Sequence, residues 1–119
     1  MQVSFLFSLC GLNVKIPEDS IIAFEKLTGY LLIPKVRNDK SKYLARAGFT
    51  TANPEALLEA IQSLIGAVEA EQEKTTEYGT FYLVKGALIG VNGVRISVIT
   101  VWLERKTDGT FQFITLIPD

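Results

Sequence analysis

Two turn signals in the last third of the chain restrict its fold more than any other feature. Val91-Asn92-Gly93 and Lys106-Thr107-Asp108-Gly109 separate three apolar runs. Asn-Gly and Asp-Gly supply the positive φ angles that a tight hairpin turn needs. The runs Thr80 to Leu88, Val94 to Glu104 and Phe111 to Ile117 are therefore predicted to be the strands of an antiparallel meander. In the middle run the apolar phase shifts: Val94, Ile96 and Val98 alternate, and then Ile99, Val101 and Leu103 take the opposite parity. A strand changes its buried face only at a bulge, or where both faces are covered. The pattern predicts a central strand with helices on one side and Trp102 with its neighbours on the other.

Helical signals precede the meander. Pro17, followed by Glu18 and Asp19, suits the first turn of a helix, and Ile21, Phe24, Leu27 and Leu31 recur at helical spacing up to Leu32. Ser20 to Ala23 also reads as extended, which would move the start to Phe24. Ile33-Pro34 ends this element. A short helix is predicted over Lys40 to Ala47, with Asp39 as its cap and Gly48 as terminator. The clearest helix opens at Asn53-Pro54, where Asn53 caps, and carries the apolar stripe Leu57, Leu58, Ile61, Leu64, Ile65 and Val68. The polar run Glu69 to Thr76 reads as a linker. The fold class is α+β: N-terminal helices packed on a C-terminal antiparallel meander of three to four strands.

The chain has 119 residues, enough for one domain spanning 1–119 with a core of its own. Residues 1–12 are read as an extra strand or a flexible start. They lack the basic leader and small-residue cleavage site of a signal peptide and are too short to span a bilayer, so a cytoplasmic protein without a membrane partner is expected. The single cysteine, Cys10, has no histidine to activate it in a chain that contains none. No metal-ligand or phosphate-loop spacing occurs, and no cofactor is expected. The net charge is −1, without the global field of a nucleic-acid binder. Locally, Lys35, Arg37, Lys40, Lys42 and Arg46 cluster against the single acid Asp39, and Glu55, Glu59, Glu69, Glu71, Glu73 and Glu77 dominate the stretch that follows.

Several blocks resemble one small bacterial family. They are Phe24-Glu25-Lys26-Leu27-Thr28-Gly29-Tyr30-Leu31-Leu32, Lys42-Tyr43-Leu44 leading to Gly48-Phe49, and the helix start Asn53-Pro54. Glu77-Tyr78-Gly79-Thr80 with Tyr82 and Gly86, Thr100-Val101-Trp102, and Thr115 with Pro118 complete the resemblance. Members of that family are mostly of unknown function and occur alone or as C-terminal domains of polymorphic toxins. The resemblance implies a layout similar to the Barnase–EndoU–colicin E5–RelE-like nuclease folds. Three positions depart from the family pattern. Ile99 stands where the family carries an arginine, Lys35-Val36-Arg37-Asn38-Asp39 replaces a glycine-rich or histidine-containing loop, and Ile117 replaces a tyrosine.

Cleaving RNA without histidine requires Lys, Arg, Tyr or Glu with pKa values drawn toward neutrality. Lys42 and Arg46, one turn apart, are the candidate cations, with Tyr78, Tyr82, Thr100 and Thr115 from the strands. Each has an ordinary structural alternative: a solvated helix face for the cations, packing for the tyrosines, and cross-strand hydrogen bonding for the threonines. The near-neutral charge, the missing arginine and the absent histidine favour a non-catalytic interaction component of a toxin–antitoxin-like or immunity-like system. Such a component would bind a protein partner or a second copy of itself. The alternative is a metal-independent RelE-like ribonuclease with RNA as its partner, which requires Lys42 and Arg46 to converge with Tyr78 or Tyr82.

Overall fold

A computed structural model describes residues 13–37 and 39–119, so the expectation for residues 1–12 lies outside the described residues. The elements are β1 (Asn13–Val14), α1 (Phe24–Lys26) running on as a π-helical turn (Leu27–Leu31), α2 (Ser41–Ala45), α3 (Pro54–Ala67), β2 (Ala70–Thr76), β3 (Gly79–Ile89), β4 (Arg95–Arg105) and β5 (Phe111–Pro118). The strands form one antiparallel sheet in the order β1-β2-β3-β4-β5. The α+β layout and the meander are as the sequence predicts. Both turn glycines hold the positive φ expected of them, +83° at Gly93 and +72° at Gly109.

The run Glu69 to Thr76 is not a linker. Ala70–Thr76 forms β2, paired with β3 from Glu71↔Leu83 to Thr76↔Gly79 with an irregularity between Gln72 and Thr75. The strand buries only Ala70. Its backbone is recruited by the ladder of β3, while its side chains carry no periodic apolar signal.

The segment Pro17 to Ala23 is not helical either. The Ser20 amide and hydroxyl both donate to the Pro17 carbonyl, making a turn. Ile21 then lies extended beside β5: its amide donates to Phe111 O at 2.9 Å, and its carbonyl accepts from the Phe113 amide at 2.8 Å. The free edge of β5 outcompetes a helix that would otherwise have begun in two β-branched residues. Helix therefore begins at Phe24 and widens at once into the π turn, closed by the Leu32 amide on Leu27 O.

Asn53 precedes α3 as expected, but its side chain makes no capping bond. Instead Oδ1 accepts from the Thr50 amide and Nδ2 donates to Gly48 O, which bolts the preceding loop.

The middle strand keeps a single core face. Ile96, Val98, Thr100 and Trp102 are buried, while Ile99, Val101 and Leu103 are half-buried on the other face. The ladder with β3 runs unbroken from Gly79↔Arg105 to Ile89↔Arg95. Trp102 thus lies on the same face as Val98, against the expectation that it covered the opposite one. It packs edge-on to Phe113 with ring centroids 5.3 Å apart. The core between this face and the helices also holds Leu27, Leu31, Leu44, Phe49, Leu57, Ile61 and Ile65. The bulge sits in β5 instead: the pairing passes from Val101↔Thr115 to Trp102↔Phe113 and leaves Ile114 without a partner on β4.

Candidate functional site

The β5 bulge, the π turn and the loop ahead of α2 border an open cleft of about 550 Å³ lined by Glu25, Lys26, Tyr30, Lys40, Ile114 and Thr115. Bulges re-aim side chains, and π turns inside helices are frequent at functional sites. Here the bulge presents Ile114 and Thr115 to the lysines. Lys26 Nζ donates to Ile114 O at 2.9 Å, and Lys40 Nζ donates to Thr115 Oγ1 at 2.9 Å. Lys35 reaches over the same wall, its Nζ 3.3 Å from the centre of the Tyr30 ring, with Lys40 Nζ 5.5 Å from that ring. The ring face is the negative pole of its quadrupole and holds both ammonium groups nearby.

Lys35 and Lys40 therefore converge on the Tyr30 ring, Lys40 also on the Thr115 hydroxyl, and Lys26 reaches the adjacent Ile114 carbonyl. The single ion pair among the described residues is Arg105 with Asp108, so none of the three has a carboxylate at ion-pair distance there. Burial, and next the charges of Lys35 and Lys26, hold the Lys40 amine below its ordinary pKa. Asp39 does not neutralise the cluster by pairing with it. Its Oδ1 accepts from the Ser41 amide and hydroxyl, and these bonds keep its carboxyl below the usual value.

The residues singled out in the sequence scatter. Lys42 is exposed on α2. Arg46 is exposed after it, stacked on Tyr43 at 5.3 Å and joined through its carbonyl to Asn92 in the β3–β4 turn. Tyr78 stands in the β2–β3 turn, 68% exposed. The β3–β4 ladder separates the two turns, so Arg46 and Tyr78 lie at opposite ends of strands about 35 Å long. Tyr82 is buried, donates to Glu104 Oε1 at 3.3 Å and has its pKa raised by burial, then by the Glu104 charge and that bond. Thr100 is buried, accepts from Trp102 Nε1 at 2.8 Å and donates to Val84 O. Arg46 and Tyr78 do not converge.

Of that set, only Thr115 lines the cleft. Lys35 and Lys40 belong to the basic stretch, but Lys26 and Tyr30 were missed as site residues. Their signal was their i, i+4 spacing within the Phe24 to Leu32 block. Among the described residues no group of three metal-ligating side chains occurs, and no helix is long and apolar enough to cross a membrane.

In fold, the chain is similar to a chain of a contact-dependent growth inhibition toxin–immunity protein complex from Klebsiella pneumoniae 342. The TM-score is 0.60 at 21% identity, over 85% of this chain and 94% of that one. No curated protein matches the sequence. The family model described as a domain of unknown function, DUF6883, matches residues 15–119, and the chain belongs to that family.

Proposed function

We propose that this protein is one member of a toxin–immunity-type pair, and that it acts on RNA through the lysine cleft without a metal ion. The observation that carries this reading is the gathering of Lys35 and Lys40 on the Tyr30 ring, Lys40 on the Thr115 hydroxyl and Lys26 on the adjacent Ile114 carbonyl. Unpaired ammonium groups in a partly enclosed site attract a phosphodiester and stabilise the charge that accumulates on phosphorus during attack by the 2′-hydroxyl. Burial, and next the charges of Lys35 and Lys26, lower the pKa of the Lys40 amine, the direction a general base for the 2′-hydroxyl requires. The fold likeness to a chain of a toxin–immunity complex supports the pairing.

Total RNA incubated with the purified protein in EDTA should be cleaved. A Lys35→Ala/Lys40→Ala variant should lose that cleavage, while Lys42→Ala/Arg46→Ala should retain it. Intact RNA with the wild type, together with no retardation of labelled RNA on a native gel, overturns the reading.

A second reading, a non-catalytic interaction component, is favoured by Tyr78. This exposed ring stands between two surface depressions of about 580 and 450 Å³, floored by Phe81 and Val101 on one side and Leu103 on the other. Exposed tyrosines rimmed by polar groups are common anchors of protein interfaces. Light scattering that finds a dimer for the wild type and a monomer for Tyr78→Ser would support it. A wild-type monomer counts against a homodimeric form of it.

A further inference from the structure

We propose that Lys40 is an acylation site: an acyl phosphate whose phosphate is held by Lys26 and Lys35 transfers its acyl group to Lys40 Nζ. Three observations converge on this amine. It lines an open cleft of about 550 Å³, so a small acyl donor reaches it. It is fixed by Thr115 Oγ1 at 2.9 Å rather than sweeping through solvent as an exposed lysine does. Lys35, over the Tyr30 ring, and Lys26, on the Ile114 carbonyl next to Thr115, supply two further cations without a carboxylate at ion-pair distance among the described residues.

The dianionic phosphate of an acyl phosphate, a mixed anhydride, is drawn to such a cluster, and only an amine free of its proton attacks the acyl carbon. The charged and titratable groups facing Lys40 are Lys26, Glu25 and Tyr30 from the helical segment, and Lys35 and Asp39 from the loop. Partial burial, and next the charges of Lys35 and Lys26, lower the amine's pKa, which raises its free-base fraction.

In the transfer, the Nζ lone pair forms a C–N bond to the acyl carbon as the bond from that carbon to the phosphate oxygen breaks. The phosphate leaves with the electron pair, and the nitrogen's surplus proton passes to it. The amide product carries no charge, so acylation removes one of the three cations and switches the cleft toward weaker anion binding.

This inference rests on the anion-holding part of the proposed function and not on RNA cleavage. The folded protein is incubated with acetyl phosphate at neutral pH, and acetylation at each lysine is followed by peptide mass spectrometry. Lys40 should be labelled roughly threefold or more faster than the exposed Lys42 and Lys74. Excess inorganic phosphate should abolish that preference, as should Lys26→Met/Lys35→Met. An acetyl thioester lacking phosphate should show a smaller preference for Lys40. Labelling of Lys40 no faster than Lys42, or a preference indifferent to inorganic phosphate, overturns the proposal. Selective labelling of Lys40 by a protein that neither cleaves nor retards RNA would overturn the RNA reading alone.

Discussion

Single residues in this protein are tuned by their neighbours more than by their type. Thr100 is a small polar residue in the core, and its hydroxyl bridges Trp102 Nε1 to Val84 O. Thr100→Val keeps the shape and strands the indole N–H, so thermal or urea unfolding should show a loss of about 1–3 kcal/mol. Lys40 is the opposite case. Its charged form is disfavoured in the fold, so the unfolded chain holds its proton to higher pH than the native chain does. Stability should therefore rise with pH between the lowered Lys40 value and the ordinary lysine value. Lys40→Met should melt higher than the wild type at neutral pH, and the gap should close as the pH approaches that of a free lysine.

Tyr82 titrates with the other sign. Its raised pKa leaves the unfolded chain to ionise first, so stability falls as the pH climbs past the ordinary tyrosine range toward its folded value. Tyr82→Phe should flatten that alkaline decline.

Among the elements, α2 and the β3–β4 hairpin meet at a contact that neither could announce. A Cβ built on Gly90 would collide with the backbone carbonyl of Ala47, at the end of the α2 segment. Backbone cannot swing aside as a flexible side chain can, so Gly90→Ala should cost about 2–3 kcal/mol in denaturant unfolding. The two turn glycines, the α3 stripe and the three long strands were legible because each repeats a local period or occupies a fixed turn position. β2 was not legible: of Ala70 to Thr76 only Ala70 is buried, and nothing in a string of exposed side chains reveals that their backbone is paired. For the segment before Phe24 the sequence carried both a helical spacing and an extended reading from Ser20 to Ala23. Two hydrogen bonds to the edge of β5 decided for the extended one.

Across the whole molecule, a net charge of −1 conceals a cationic cleft. Acids, Glu25 in the cleft wall among them, cancel the lysines in the sum, yet Lys26, Lys35 and Lys40 stand together in space. If these three contact RNA phosphates, the plot of log affinity against log salt for single-stranded RNA should slope at about −2. Each Lys→Met substitution in the cleft should reduce the slope by about 0.7, whereas Lys42→Met should leave it unchanged.

The sequence by itself determined the α+β class, the long helix and the meander, because these follow from turn chemistry and apolar periodicity between near neighbours. It also placed Lys35 and Lys40 in one basic stretch. Only the tertiary structure decided which cations act together. The β5 bulge leaves Ile114 out of the ladder, and Ile114 and Thr115 meet Lys26 and Lys40 across 88 and 75 positions of chain. The same long-range pairing set Arg46 apart from Tyr78. Proximity of that kind is a property of sheet register and helix packing, which no local pattern of residues encodes.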